Sequence, residues 1–255
     1  MLERHFIYFP ERRLAASPAD LGLEFEDLRF RAADGTRLHG WLVPGEGDRA
    51  LLWLHGNAGN IGDRVPLLGE LHRQLRLPVL ILDYRGYGAS EGAPSDPGLY
   101  LDAAAALDAL TRRLGISAER VVLLGQSLGA AVAVELASRH PPSSLILESP
   151  FTSVRDMARY HYPGLPLWPL LRARFDALSK IASVSAPTLV IHGEDDEIAP
   201  AAMSQRLFAA APGPKRLLLI PGAGHNDLHA IGGGEYFAGL RRFLAEFNAP
   251  ASGDG

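Results

Sequence analysis

A serine between two glycines is the residue best suited to chemistry in this chain of 255 residues. Ser127 lies in Gly125-Gln126-Ser127-Leu128-Gly129, after an apolar run at 121–124 and before two alanines. This order predicts a buried strand that turns sharply at the serine and continues as a helix. A Cβ at Gly125 or Gly129 would collide with the chain that crosses there. The pattern therefore predicts a nucleophile elbow that exposes the serine hydroxyl at a sheet edge.

A serine hydroxyl needs a neighbouring base, and His225 is the best candidate among the nine histidines. It lies in the short loop Pro221-Gly222-Ala223-Gly224-His225-Asn226-Asp227, directly after the last predicted strand. The alternative is an exposed loop histidine without a function. His225 and His229 also have the H-x3-H spacing, but no glutamate lies between them and the loop is rich in glycine. That context argues against a zinc site.

The base must be oriented by an acid, which the loop His192-Gly193-Glu194-Asp195-Asp196-Glu197-Ile198-Ala199-Pro200 can supply. Asp196 is the preferred acid because it lies where the loop can turn back before the helix expected at Pro200. Asp195 is the alternative acid, and its other possible role is a solvated charge near the start of that helix. The chain order is then serine, acid, histidine.

The loop His55-Gly56-Asn57-Ala58-Gly59-Asn60 follows the predicted strand 50–54 and is the candidate oxyanion hole. Gly56 allows the backbone to approach an acyl group. The N–H of Asn57, paired with the N–H of Leu128, would then point at the developing oxyanion. The alternative is a glycine-rich turn without a ligand. We expect His55 to support the loop by hydrogen bonding rather than to bind a metal.

The elements that must position these residues are strands alternating with helices. The predicted strands are 28–32, 37–43, 50–54, 78–83, 121–125, 144–147, 188–192 and 216–220, and Asp34-Gly35 marks a hairpin between the first two. The clearest helix begins at Ser95 or Asp96 and repeats apolar residues to Leu114. This pattern predicts an α/β fold, with an eight-stranded, mostly parallel sheet, helices on both faces and one domain over residues 1–255.

The composition of the chain argues against several classes of protein and of chemistry. The chain has no cysteine, which excludes a thiol nucleophile and disulfides, and its net charge of −4 gives no support for nucleic-acid binding. No apolar run reaches the length of a membrane span, and the first ten residues are too charged for a signal peptide. We expect a cytoplasmic location, with peripheral membrane contact at most through the apolar residues of the N-terminal arm, namely Leu2, Phe6, Ile7, Tyr8 and Phe9. The alternative is that this arm packs on the domain.

The segment at about 151–180 is the only candidate cap. It is bulky and apolar and contains Pro163, Pro166 and Pro169, so it cannot form one long helix. We expect it to line an acyl pocket, with Tyr160, Tyr162, Leu167 and Trp168 as substrate-binding residues. The alternative is that the segment packs in the core.

Two other motifs have structural interpretations. Asp83-Tyr84-Arg85-Gly86-Tyr87-Gly88 is interpreted as a structural turn with paired charges. The glycines at 232–234 follow no predicted strand and therefore lack the context of a phosphate-binding site.

These motifs together resemble the α/β-hydrolase superfamily, and within it the bud-emergence-type branch that includes depalmitoylases and lysophospholipid lipases. The motifs are the 55–60 loop, the 83–88 turn, the 125–129 elbow, Glu148-Ser149-Pro150-Phe151-Thr152 and Gly222-Ala223-Gly224-His225-Asn226-Asp227. Members of this branch often carry an N-terminal membrane helix or a lipidated segment, which this sequence does not show.

The resemblance implies a catalytic triad of Ser127, Asp196 and His225, with oxyanion donors on Asn57 and Leu128. It also implies hydrolysis of acyl esters or thioesters without a cofactor or metal. The expected partner is a small or lipid-like acyl substrate, including an acylated protein. The alternatives are a serine peptidase of the same fold and a non-catalytic ligand-binding protein. Related enzymes with an aspartate nucleophile are disfavoured, because this chain has Ser127 at that position.

Overall fold

The eight strands expected from the sequence form one sheet in the computed structural model, which describes residues 4–164 and 171–247. The first and last residue predicted for each of these eight strands agree with the structure to within two residues. The strands are β1 (Glu26–Arg31), β2 (Arg37–Val43), β3 (Ala50–Leu54), β4 (Val79–Asp83), β5 (Val121–Gln126), β6 (Ser144–Glu148), β7 (Thr188–Gly193) and β8 (Lys215–Ile220).

The order of strands across the sheet is β1-β2-β4-β3-β5-β6-β7-β8. The pairs β1–β2 and β2–β4 are antiparallel, whereas all pairs from β4 to β8 are parallel. The predicted mostly parallel α/β sheet is therefore confirmed. Because parallel strands end at the same edge, the loops after β3, β5, β7 and β8 meet at their carboxyl ends.

Eight helices surround the sheet in the described part of the chain. They are α1 (Arg4–Ile7), α2 (Val65–Leu75), α3 (Asp96–Leu114), α4 (Leu128–Arg139), α5 (Val154–His161), α6 (Ala177–Ile181), α7 (Ala201–Ala210) and α8 (Leu228–Phe247), with 3₁₀ turns at Pro18–Leu21, Ile61–Arg64 and Ala118–Arg120. Helix α3 begins as predicted, since the Ser95 side chain accepts a hydrogen bond from the Gly98 amide. Gly233 interrupts α8 with φ of 45°, so the triple glycine forms a kink.

Successive residues of the central strands enter two separate cores, because strand side chains alternate between faces. Leu123 packs in the core beneath α3 and α4, whereas Leu124 packs in the core beneath α2 and α8. Both leucines are almost completely buried. Because helices cover both faces of the sheet, the sequences of these strands are continuous apolar runs.

The N-terminal arm forms a pairing that the sequence did not predict. Phe9–Pro10 lies parallel to Ala58–Gly59, within the loop after β3. Tyr8 is buried with its ring edge against Phe175, whereas Phe6 is 75% exposed and Phe9 is also exposed. Leu2 lies outside the described residues. Over residues 4–164 and 171–247, no helix has both the length and the apolar character needed to cross a membrane.

Candidate active site

Ser127 occupies the sharp turn between β5 and α4. Its φ of 51° and ψ of −112° lie in a region that residues with a side chain rarely adopt. The Ser127 amide donates to the carbonyl oxygen of Glu148 at the end of β6, at 2.8 Å. A Cβ on Gly125 would lie 2.5 Å from the Gly129 carbonyl oxygen, and one on Gly129 would lie 1.9 Å from the Leu54 carbonyl oxygen. The expected steric need for both glycines is confirmed.

His225 lies next to this serine, in the loop after β8. Its Nε2 atom is 2.9 Å from Ser127 Oγ. Two contacts hold the loop: the Ser149 hydroxyl donates to the His225 carbonyl oxygen at 3.1 Å, and the Gly224 amide donates to Asp227 Oδ1 at 2.7 Å. The histidine ring is thus fixed at hydrogen-bonding distance from the serine hydroxyl.

Asp196 lies on the other side of the histidine ring. Its Oδ2 atom is 2.7 Å from His225 Nδ1, and its Oδ1 atom accepts from the amides of Ile198 and Ala199 at 2.9 and 2.8 Å. Burial alone would raise the pKa of this carboxyl group. Hydrogen bonds from His192 and His225 outweigh burial and lower the pKa below its usual value, so the group is a carboxylate at neutral pH.

Asp195, the alternative acid, is exposed, and its backbone amide donates to the Ala223 carbonyl oxygen. The structure therefore brings Asp196, and not Asp195, to the histidine. It also adds a residue that sequence reasoning missed, because His192 Nε2 lies 3.1 Å from Asp196 Oδ2. A signal was present in the sequence, since His192 lies near the end of β7 and four residues before Asp196.

The loop after β3 lies against the elbow. A Cβ on Gly56 would come within 3.8 Å of Ser127 Cβ, which allows the close approach expected of this glycine. The Asn57 carbonyl oxygen accepts from the Phe9 amide at 3.0 Å and from the Tyr87 hydroxyl at 2.8 Å. Within the described residues, the Asn57 amide donates to no main-chain oxygen outside its own element, and Leu128 is the first residue of α4, so its amide has no acceptor within the helix. Both N–H groups are therefore available to a ligand.

His55 supports this loop as expected. Its Nδ1 atom donates to the Gly56 carbonyl oxygen at 2.7 Å, and burial lowers the pKa of the ring to about 4, so the ring is neutral. The part of the chain that the structure describes holds no group of three His, Cys, Asp or Glu side chains suited to a metal ion.

The 83–88 turn is structural, as interpreted from its sequence. Arg85 pairs with Asp102 and Asp34, at 2.8 and 2.7 Å. Asp83 Oδ2 lies 2.8 Å from His39 Nδ1. These buried or half-buried pairs satisfy the charges of the turn within the fold.

The candidate cap divides between the core and the surface. Phe175 and Ala177 are buried in the core, so the end of the segment follows the core-packing alternative. Tyr160 and Tyr162, at the end of α5, are 49% and 53% exposed. Between them, His161 Nε2 donates to the Ile198 carbonyl oxygen at 2.8 Å, which places this helix end beside the Asp196 loop. Leu167 and Trp168 lie outside the described residues, and the acyl pocket stays a prediction.

Comparisons with known proteins agree with this fold. A sequence profile described as alpha/beta hydrolase fold matches residues 49–178, and one described as serine aminopeptidase, S33, matches residues 166–229. An uncharacterized protein of Mycobacterium tuberculosis is 44% identical, over 96% of this chain and 88% of its own length. Protein bem46 of Schizosaccharomyces pombe is 34% identical, over 96% of this chain and 86% of its own.

A solved structure of the Pyrococcus furiosus esterase Pf2001 superimposes with a TM-score of 0.81, over 94% of this chain and all of the esterase chain. Its sequence identity is 21%, so this likeness concerns the fold. The alpha/beta-hydrolase profile spans half of the chain, and bem46 is similar over nearly the whole of it. The chain therefore belongs to the alpha/beta-hydrolase fold family.

Proposed function

We propose that this protein is a serine hydrolase that cleaves carboxylic esters or thioesters carrying an acyl chain. The observation that carries the proposal is the hydrogen-bonded series from Asp196 Oδ2 through His225 to Ser127 Oγ, at 2.7 and 2.9 Å. This arrangement matches what a serine hydroxyl needs to act as a nucleophile at neutral pH. The similarity to bem46 supports a place in the bud-emergence-type branch.

In the first half of the reaction, Ser127 Oγ attacks the acyl carbon while His225 Nε2 takes the hydroxyl proton. Asp196 stabilises the resulting imidazolium through Nδ1. The carbonyl oxygen becomes an oxyanion, which the amides of Asn57 and Leu128 stabilise. The carbon–oxygen or carbon–sulfur bond to the leaving group then breaks, and His225 returns its proton to that group. The acyl chain remains as an ester on Ser127.

In the second half, water replaces the leaving group at the same position. His225 takes one proton from the water as its oxygen attacks the acyl carbon, and the same two amides stabilise the second oxyanion. The bond to Ser127 Oγ breaks and the proton returns to the serine. The free carboxylic acid leaves, and the enzyme regains its starting protonation state.

Exposed aromatic side chains on two elements that contact the loops of the site support an acyl substrate. Tyr160 and Tyr162 are half-exposed beside the Asp196 loop, and Phe9 is exposed on the arm that binds Asn57. The substrate-binding roles expected of Leu167 and Trp168 stay a prediction from the sequence. Such aromatic surface suits an acyl chain better than a sugar or a charged peptide.

The second candidate is a peptidase of the same fold, favoured by the aminopeptidase profile at residues 166–229. The same serine chemistry cleaves amides, so the triad alone does not distinguish the two. Aminoacyl p-nitroanilides test this candidate directly. Turnover of these amides without turnover of esters would replace the esterase proposal.

The main experiment measures hydrolysis of p-nitrophenyl esters from acetyl to palmitoyl, each beside the matching thioester. We expect a maximum at medium or long chains and a loss on the order of 10⁶ in kcat for Ser127→Ala. A serine variant that keeps more than about a tenth of the activity contradicts the mechanism. Asp196→Ala should lose about 10⁴. The matched control is Asp195→Ala, whose exposed carboxyl lies next in the chain and should leave kcat unchanged.

A further inference from the structure

A second histidine, His192, contacts the same carboxylate as His225. The ring is fully buried at the end of β7. Its Nε2 atom lies 2.7 Å from the Ala199 carbonyl oxygen and 3.1 Å from Asp196 Oδ2. Both neighbours are hydrogen-bond acceptors, so Nε2 carries a proton and the carboxylate is its second, longer acceptor.

The other nitrogen of His192 contacts Ser204 on α7. Ser204 Oγ forms a short hydrogen bond with His192 Nδ1 and lies 3.4 Å from the Pro150 carbonyl oxygen. The hydroxyl has a single proton, and we assign it to the much shorter contact with Nδ1, which makes Nδ1 the acceptor. This assignment follows from the hydrogen-bond network. Ser204 thus holds the tautomer that turns an N–H towards Asp196.

The contacts on Asp196 account for both carboxylate oxygens. Oδ1 receives two backbone amides and Oδ2 lies between two imidazoles. The titratable groups that face the carboxylate are His192 from β7 and His225 from the loop after β8. Other charged groups of these loops point elsewhere: Glu194, Asp195 and Glu197 are exposed, Asp227 binds the Gly224 amide, and His161 of α5 binds the Ile198 carbonyl oxygen.

We propose that His192, held by Ser204, is a positioning residue that fixes Asp196 and limits how strongly it attracts the proton of His225. The proposal rests on the function proposed above for the triad. A proton donated to Oδ2 by His192 withdraws negative charge from the atom that faces His225. Without that donor the carboxylate would favour the imidazolium form of His225 more strongly, and Oδ2 would keep His225 as its one donor while Oδ1 stays held by the two amides.

The test is the pH dependence of kcat/KM in three variants. His192→Leu removes both polar atoms, and Ser204→Ala removes only the group that fixes the tautomer. His192→Gln supplies an amide N–H that can reach Asp196. We expect the acid limb to move to higher pH by about one unit in His192→Leu and by less in Ser204→Ala. The limb should stay near the wild-type position in His192→Gln, with kcat reduced about tenfold or less.

A purely structural role predicts a different result. It would lower the yield, the melting temperature and kcat together, and it would leave the acid limb where it is. An unmoved limb in Ser204→Ala and His192→Leu therefore overturns the proposal. If His192→Leu does not fold, the pH profile of Ser204→Ala alone tests the proposal, because this variant loses only one hydroxyl group. Ser138→Ala, a half-buried serine on α4 whose hydroxyl donates to the Glu135 carbonyl oxygen, is the control.

A second readout does not depend on turnover. The proton between His225 Nδ1 and Asp196 Oδ2 should give a far-downfield proton NMR signal, because the two atoms are only 2.7 Å apart. We expect Ser204→Ala and His192→Leu to move that signal and Ser138→Ala to leave it. If the wild-type protein hydrolyses no ester, the proposed function fails, and the NMR signal still tests the role of His192. A signal that neither variant moves contradicts the positioning role.

Discussion

The hydroxyl of Tyr87 donates a hydrogen bond to the main-chain carbonyl oxygen of Asn57, at 2.8 Å. Asn57 is the residue whose amide we assign to the oxyanion hole, so a turn that looked purely structural in the sequence supports the site. Tyr87 is fully buried, and burial raises the pKa of its phenol. The phenol therefore stays protonated at neutral pH and remains a donor.

Tyr87→Phe should lower kcat with little change in KM, because it removes one support of the Asn57 peptide and keeps the ring. One hydrogen bond of this kind contributes about 1 kcal/mol, which corresponds to a loss of about fivefold. Steady-state kinetics on the preferred ester measures the effect. The matched control is Tyr100→Phe, whose ring packs on Phe175 and whose hydroxyl hydrogen-bonds to Asp96 rather than to Asn57. An equal loss in both variants would contradict the assigned role.

The backbone strain at Ser127 predicts a stability difference between two inactive variants. At φ of 51° and ψ of −112°, alanine keeps the steric cost of a Cβ, whereas glycine removes it. We expect Ser127→Gly to have a free energy of unfolding about 1 kcal/mol higher than that of Ser127→Ala. Urea unfolding measures the difference, and both proteins should lack esterase activity. A Gly variant less stable than the Ala variant would show that the turn is not strained.

The close approach of α4 to β3 predicts a large effect for Gly129→Ala. The new Cβ would lie 1.9 Å from the Leu54 carbonyl oxygen and 2.5 Å from that of His55, and both contacts are with backbone. We expect a loss of about 3 kcal/mol or more in the free energy of unfolding, together with loss of activity.

The control for that change is Gly234→Ala. Gly234 lies on α8, and a Cβ there would meet nothing within 4 Å. Alanine should leave the stability unchanged or raise it by about 0.5–1 kcal/mol. Thermal and urea unfolding of the two variants give the comparison. Similar destabilisation in both would mean that crowding at the elbow is not the cause.

The strands and the proximity of the three candidate catalytic residues could be predicted from the sequence for a physical reason. Strands buried on both faces leave short, continuous apolar runs, and the parallel order brings the loops after them to one edge. Ser127 directly follows β5, and Asp196 and His225 lie in the short loops that begin where β7 and β8 end, at Gly193 and Ile220. Their neighbourhood was therefore expected from the parallel direction of these strands, which the alternation of strands and helices predicts.

Other contacts could not be predicted from the sequence, because they join segments whose proximity is decided by the tertiary structure. Phe9–Pro10 pairs with Ala58–Gly59 across almost fifty residues, and two-residue strands carry no periodicity. His192 contacts Asp196 only because its loop turns back to place Ala199 beside the ring. The glycines at 232–234 could equally end a helix, and the structure shows a kink within α8.

The carboxyl group of Glu148 gives the last prediction, which concerns pH. Its side chain is fully buried and accepts a hydrogen bond from the Tyr236 hydroxyl, while its main-chain oxygen accepts from the Ser127 amide. Burial raises the pKa of this carboxyl to about 7, against a partial lowering by Tyr236. The folded state therefore binds the proton more tightly than the unfolded state. Its stabilising effect is complete below the unfolded pKa and is lost as the pH rises through about 7.

Glu148→Gln removes this dependence, because an amide stays neutral and still accepts from Tyr236. The free energy of unfolding of this variant, relative to wild type, should increase by on the order of 3 kcal/mol between about pH 4.5 and about pH 7.5. Tyr236→Phe should extend the wild-type dependence to higher pH, since the ionised carboxylate loses its donor. Urea titrations across this range measure both effects. A difference between Glu148→Gln and wild type that is constant with pH would show that Glu148 stays ionised when buried.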